Sequence, residues 1–162
     1  VRSTLYICWA AQAGLYHFYN IPKYPLPKKM FGIFPTIPLK PELPLFRGFD
    51  DVFRMPQSRH TEIRREDIER VTDLEIIAES EESGVSIVRS RSRREFFITG
   101  HLEYASDTLD TEYRRDLGKR DDVEIPKYYY REDNPDKGPL VTWRSHANLL
   151  FMNWVSWVLG GE

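Results

Sequence analysis

Three side chains in this sequence could together perform thiol chemistry: Cys8, His101 and Glu103. Cys8 is the only cysteine, and it ends the short buried strand predicted for residues 3–8, where the chain is expected to turn into a helix. At a helix N-terminus the backbone N–H groups favour a thiolate. His101 and Glu103 follow a second apolar run at residues 96–99. A thiol, an imidazole and a carboxylate at strand ends form the set required for acyl transfer through a thioester.

Alternating strands and helices must position these side chains. The apolar pattern predicts strands at residues 3–8, 30–34, 51–55, 74–78, 85–89 and 95–99, and helices at 10–19, 65–71, 107–119 and 144–159. Loops are predicted for the proline-rich stretches 20–29 and 35–44, for residues 56–60 and for the tyrosine-rich stretch 121–139. Strands mixed with helices indicate an α/β fold, and 162 residues indicate one domain.

The composition excludes several classes of protein. Charged residues make up 30% of the chain and aromatic residues 14%, which is typical of a folded domain. The net charge is −2 with both signs interspersed, so we predict no binding to nucleic acid or membranes. The basic run at residues 89–94 is interpreted as the solvated edge of a hairpin. A single cysteine, no apolar run of ~18 residues and no signal-peptide pattern together predict a cytoplasmic protein.

The first residues indicate that the chain is part of a longer protein. Residue 1 is Val, and the strand at residues 3–8 has the character of a central strand in a parallel sheet. Such a strand needs neighbours on both sides, and few other strand candidates are present. We therefore expect residues 1–162 to be the C-terminal part of a single domain whose N-terminal part is absent.

Residues 4–23, TLYICWAAQAGLYHFYNIPK, resemble the nucleophile segment of the homoserine O-acyltransferases of methionine biosynthesis, which are O-succinyl- or O-acetyltransferases. The resemblance continues in order through KKMFG, PQSRH, FITGHLEY, EYRRD and WRSHANLLFMNW, and it covers nearly the whole chain. It implies a class I glutamine amidotransferase-like (flavodoxin-like) fold, with a three-layer sheet and helices on both faces. Residues 1–162 would then be the C-terminal part of one acyltransferase domain.

Positions near the cysteine separate this branch from the glutaminases. The broader amidotransferase family has a glycine two residues before the cysteine and another two residues after it. Here those positions hold Tyr6 and Ala10, whereas Gln12 does match the family. The departures favour the acyltransferase branch.

The resemblance implies a two-step acyl transfer without a metal or other cofactor, in which acyl-CoA is a co-substrate. Cys8 would attack the thioester carbonyl of acetyl-CoA or succinyl-CoA, and the hydroxyl of L-homoserine would then attack the acyl-enzyme. His101 would deprotonate the nucleophile at each step, and Glu103 would orient His101 and stabilise its cation. The backbone N–H of Trp9 would donate to the oxyanion. The second oxyanion donor and the residue that selects the acyl donor would lie upstream of Val1.

The same resemblance assigns substrate contacts to Lys29, Ser58 and Arg115. Arg115 could bind the homoserine carboxylate in a bidentate manner, and Lys29 could offer a point charge. Ser58 would help to shape the acyl or amino-acid pocket. Arg114 is adjacent to Arg115, and the resemblance alone favours Arg115 as the residue that faces the pocket.

Several alternatives stay open at the level of sequence. Cys8 could be a small core residue, although its context favours a nucleophile. His146 competes with His101 as the base, but its apolar helix favours a structural role, and His17 and His60 are weaker candidates. The protein could instead be a glutaminase or hydrolase on the same fold, or an inactive binding or assembly fragment. The sequence also leaves the oligomeric state open, with a homodimer as one option.

Overall fold

A computed structural model describes residues 3–160 of the chain. The strands are β1 (Thr4–Ile7), β2 (Tyr24–Pro38), β3 (Phe53–Glu62), β4 (Leu74–Ser80), β5 (Gly84–Ser90) and β6 (Glu95–Ile98). The α-helices are α1 (Trp9–Tyr19), α2 (Arg65–Glu69), α3 (Thr108–Leu117) and α4 (Arg144–Gly160). Short 3-10 turns lie at Pro44–Phe46, Arg131–Asp133 and Pro135–Lys137. No helix within this described part of the chain is long and apolar enough to cross a membrane.

The strands form one mixed sheet in the order β1-β6-β5-β4-β2-β3. β1 and β6 are parallel, and the remaining neighbours are antiparallel. Because side chains alternate across a strand, Phe97 of β6 packs on the side of α1 and α2, whereas Phe96 and Ile98 pack on the side of α3 and α4. Each face of the sheet therefore has its own hydrophobic core and its own pair of helices, as the α/β prediction requires.

The loops predicted at residues 20–29 and 35–44 are wrong where β2 passes through them. β2 runs from Tyr24 to Pro38 and pairs with β3 along most of its length. Proline is tolerated in strands where its ring does not interrupt a ladder bond, and the register of this pair shifts between Pro25 and Met30. The pairing with β3 overrides the local proline signal.

The strand predicted at residues 51–55 also continues further than its sequence indicates. The predicted loop at residues 56–60 is part of β3, which extends to Glu62. Pairs such as Phe31 with Ser58 and Met30 with Arg59 hold this segment in the sheet. Residue 58 therefore lies on a strand, opposite β2.

The strand predicted to be buried at residues 3–8 is less buried than expected, and the apolar helix α4 is only partly covered. Thr4 of β1 is exposed and the rest of that strand is half-buried. On α4, Ala147 and Leu150 are buried, whereas Met152 and Leu159 are exposed. Within residues 3–160, β1 pairs with β6 alone, so its outer edge and the adjacent surface have no covering strand in this part of the chain.

Candidate active site

Cys8 occupies a sharp corner between β1 and α1. Its φ of 51° and ψ of −110° lie in a region that costs a residue with a side chain roughly 1–3 kcal/mol. The Cys8 N–H donates to the carbonyl of Ile98 at 2.7 Å, and the Cys8 carbonyl accepts the Gln12 N–H at 3.1 Å. Cys8 thus ends the pairing of β1 with β6 and begins α1. Its half-buried thiol therefore lies at the carboxyl end of a parallel strand.

Trp9 is the first residue of α1. Amides in the first turn of a helix have no intrahelical acceptor, so the N–H of Trp9 is available to a ligand beside Cys8. Its indole is 73% exposed. The role predicted for Trp9 depends on its backbone alone.

His101 follows β6 and lies at the same end of the sheet as Cys8. Because β1 and β6 are parallel, residues that follow them lie at one end of the sheet. The His101 N–H donates to the carbonyl of Pro56 at 2.8 Å. This close approach requires Gly100, since a Cβ there would lie 2.5 Å from that oxygen and from Cγ of Met55. His101 Nδ1 lies 2.7 Å from Oε1 of Glu103, so the carboxylate orients the imidazole.

The charge state of His101 depends on its neighbours. Burial lowers its pKa, but interactions with Cys8 and Glu103 outweigh that effect and raise the pKa to about 9. The ring also stacks on Tyr104, with centroids 4.1 Å apart. At neutral pH His101 is therefore a cation beside the Cys8 sulfur, an arrangement that favours a reactive thiolate. We call Cys8, His101 and Glu103 the thiol set.

A second polar group surrounds Glu112 of α3. Its Oε2 accepts hydrogen bonds from Ser58 Oγ at 2.5 Å and Lys29 Nζ at 3.2 Å, and its Oε1 accepts one from Tyr104 Oη at 2.9 Å. Burial raises the pKa of Glu112, but the hydrogen bonds from Ser58 and Tyr104 and the charge of Lys29 outweigh it and hold the pKa below its ordinary value. Glu112 is thus an ionised carboxylate in a partly enclosed position.

Asp116 joins Lys29 to only one of the two adjacent arginines. Lys29 Nζ lies 3.3 Å from Asp116 Oδ2, and Arg115 Nε donates to Asp116 Oδ1 at 2.9 Å. Arg114 instead donates to Asp110 at 2.9 Å. The side chains of both arginines are more than half exposed. We call the group made of Lys29, Ser58, Glu112, Arg115 and Asp116 the anchor set.

Tyr104 connects the two sets, since its ring stacks on His101 and its hydroxyl donates to Glu112. The side chains predicted for catalysis and substrate contact thus belong to one polar region, namely those of Cys8, His101, Glu103, Lys29, Ser58 and Arg115. His146 lies apart from it, with Nε2 3.1 Å from Asp50 and its ring against Phe49, in keeping with a structural role.

Sequence reasoning missed Glu112, Tyr104 and Asp116. A signal was present for the first, because Glu112 precedes Arg115 by three residues and such pairs share one face of a helix. Across residues 3–160, no group of three or more His, Cys, Asp or Glu side chains is arranged to hold a metal ion.

Solved structures define the class of this fold, which is the class I glutamine amidotransferase-like α/β fold. A glutamine amidotransferase from Thermotoga maritima superposes with a TM-score of 0.63 at 15% identity, over 94% of this chain and 60% of that chain. A glutamine amidotransferase from Methylobacillus flagellatus gives a TM-score of 0.64 at 10% identity, over 96% of this chain and 62% of that chain. Identities this low establish the fold alone.

Sequence comparison then defines the family. The chain belongs to the homoserine O-succinyltransferase family, whose model matches residues 1–161, and this confirms the family predicted from the sequence. Homoserine O-acetyltransferase of Bacteroides thetaiotaomicron is 63% identical over 162 residues, which is 100% of this chain and 53% of that relative. The enzyme of the same name from Brevibacillus brevis is 57% identical, with coverages of 100% and 53%. The chain spans about half the length of the curated relatives it matches.

Proposed function

We propose that this chain is part of a homoserine O-acyltransferase that moves an acyl group from acyl-CoA to the hydroxyl of L-homoserine, in methionine biosynthesis, through a thioester on Cys8. The observation that carries the proposal is the geometry of the thiol set in a chain of this family. The half-buried thiol lies at a strand–helix corner, and the imidazole of His101, whose pKa responds to Cys8, is bonded to Glu103. A thiol, a base and an orienting carboxylate in this order suit covalent acyl transfer.

In the first step the Cys8 thiolate attacks the thioester carbonyl of acyl-CoA. The backbone N–H of Trp9 stabilises the oxyanion of the tetrahedral intermediate. Collapse of the intermediate breaks the bond between carbonyl carbon and CoA sulfur, and the departing thiolate takes the proton of His101. Acylation also removes the negative charge on Cys8 that helps to raise the pKa of His101. The imidazole is then neutral and ready to act as a base.

In the second step the homoserine hydroxyl attacks the acyl-enzyme and gives its proton to His101. The tetrahedral intermediate expels Cys8 as a thiolate and releases O-acylhomoserine. His101 is again a cation, stabilised by Glu103 and by the restored charge on Cys8. The starting state is regenerated without any further proton donor.

The anchor set suits a zwitterionic amino acid. A carboxylate has about four lone-pair sites, and Glu112 uses three of them on Lys29, Ser58 and Tyr104, so one remains for the ammonium of homoserine. Arg115 lies on the same side of α3 as Glu112 and is half-exposed, which suits it to bind the carboxylate of homoserine. Lys29 supplies additional positive charge nearby.

Further assignments belong to the same proposal. We propose that residues 1–162 are the C-terminal part of a single acyltransferase domain, and the match to about half the length of the relatives supports their being one part of it. The relatives are named O-acetyltransferases, which favours acetyl-CoA over succinyl-CoA as the donor. We expect a cytoplasmic enzyme.

Acyl transfer to homoserine by the full-length protein tests this function. We expect O-acylhomoserine from homoserine and acetyl-CoA or succinyl-CoA, and its loss in Cys8→Ala. Normal activity of Cys8→Ala would show that the thioester mechanism is wrong. Release of ammonia from glutamine without any need for acyl-CoA would instead identify a glutaminase.

A further inference from the structure

Arg59 of β3 is a buried cation that neither set includes. Its exposed fraction is 5%, and it lies next to Ser58 on the strand, so the two side chains point to opposite faces of the sheet. The guanidinium donates to Gln57 Oε1 at 3.0 Å and to the carbonyls of Thr61 at 2.6 Å and Ser83 at 2.5 Å. All three acceptors are neutral, and none of the ion pairs formed within residues 3–160 includes Arg59.

A buried guanidinium without a paired anion is unusual, because transfer of a charge out of water is costly unless another charge compensates it. Arginine keeps its proton in proteins, so the charge persists. Burial lowers the pKa of Arg59, and the negative charges that act against this effect are those of Cys8 first and Glu62 second. Among these negative charges, that of Cys8 acts most strongly on the buried guanidinium.

A chain of hydrogen bonds also fixes Arg59 relative to Cys8. The Thr61 carbonyl that accepts from Arg59 also accepts from Gln12 Nε2 at 3.3 Å, and Thr61 Oγ1 donates to Gln12 Oε1 at 2.6 Å. Gln12 is buried in the first turns of α1, and its N–H donates to the Cys8 carbonyl. The guanidinium is thus held against the same helical turn that positions the thiol.

We propose that Arg59 is a positioning residue, a fixed cation that stabilises the thiolate of Cys8 from the side of the sheet opposite Ser58. The inference rests on the proposed function only in taking Cys8 as the nucleophile. The other charged or titratable groups that act on Cys8 are His101, with Glu103 behind it, and Tyr104, while Glu62 is the second negative charge that acts on Arg59. His101 gains and loses a proton during each cycle, whereas the charge of Arg59 is constant.

Alkylation of Cys8 by iodoacetamide, followed from acid to alkaline pH without substrates, tests this role in the full-length protein. Labelling is read on the peptide that contains Cys8. In Arg59→Met we expect the pH at half-maximal labelling to rise by about one unit, because an opposite charge nearby favours the ionised form. Below that midpoint the labelling rate should fall about tenfold. Arg59→Lys, which keeps the charge, should show less than half of this shift.

The matched control is Arg89→Met, which removes a half-buried guanidinium of β5 that pairs with Glu75. Its labelling midpoint should equal that of the unmodified protein. Because Arg59→Met removes three hydrogen bonds and can fail to fold, Arg59→Gln, which keeps amide donors without the charge, carries the same test. A lower melting temperature with an unchanged labelling midpoint in the folded neutral variant would overturn the proposal and leave Arg59 a purely structural role.

The two proposals fail in different ways. An unchanged midpoint in the neutral variants, together with loss of acyl transfer in Cys8→Ala, would remove the role of Arg59 and leave the proposed function intact. Normal acyl transfer by Cys8→Ala would refute the function whatever the labelling of Arg59 variants shows.

Discussion

The thiol set and the anchor set differ in how the fold holds them. In the thiol set the backbone determines position, since Cys8 lies between a strand and a helix at positive φ and the His101 N–H is bonded to the Pro56 carbonyl. In the anchor set, Glu112, Ser58 and Lys29 hold one another through side-chain contacts between α3 and the strands β2 and β3. Under the proposed function, this comparison would mean that the backbone fixes the reacting atoms, whereas the groups proposed to bind a charged substrate are held by contacts with one another.

The largest expected effect comes from removing the base of the thiol set. We expect His101→Asn to lower kcat by about 10³-fold, which is typical of a lost general acid–base group. His60→Asn is the control, because His60 is the exposed residue of β3, and it should retain full activity. Steady-state kinetics of acyl transfer measure both. A His101→Asn enzyme within a few-fold of normal would mean that another base serves Cys8.

A substitution in the anchor set should instead weaken the binding of homoserine. We expect Glu112→Gln to raise the KM for homoserine by about ten- to a hundred-fold, since a hydrogen bond to a charged group is worth roughly 1.5–3 kcal/mol. The KM for acyl-CoA should change little. Asp110→Asn, on the side of α3 that carries Arg114, is the matched control. A loss confined to kcat would place Glu112 in the chemistry and erase the distinction between the sets.

Glu103 should affect how the unfolding free energy depends on pH, because it stabilises the cation of His101. The folded pKa of His101, about 9, lies above its ordinary 6.5, so its cation stabilises the fold fully below pH 6.5, and this contribution is lost as pH rises through 9. In Glu103→Gln the decline in unfolding free energy across this window should be smaller. Denaturant unfolding at the two ends of this pH window, 6.5 and 9, measures the decline in both proteins. An equal decline in both proteins would contradict the role of Glu103.

The smallest effect concerns backbone strain at Cys8. Glycine adopts positive φ readily, so we expect Cys8→Gly to be about 1 kcal/mol more stable than Cys8→Ala, although both lack the nucleophile. Thermal or denaturant unfolding of this pair makes the comparison. Equal stability would show that the corner stores no strain and would weaken the contrast with the anchor set.

The two sets also differ in how far the sequence predicts them. Cys8 and His101 each follow an apolar run, so the strand ends that position them are visible in the local pattern. Ser58 and Glu112 are 54 residues apart, and their contact depends on the extension of β3 beyond residue 55, which the sequence pattern does not indicate. The mixed α/β class was predictable from element order. The full length of β2 was not, because pairing with β3 outweighs the prolines of residues 24–38.

Trapping the acyl-enzyme tests the central claim most directly. The full-length protein is mixed with acetyl-CoA in the absence of homoserine, quenched in acid and digested for mass spectrometry, with Cys8→Ala as the control. We predict one acetyl group on the peptide that contains Cys8, no such adduct in Cys8→Ala, and loss of the adduct when homoserine is added before quenching. Formation of O-acylhomoserine without any acyl adduct on Cys8 would contradict the account.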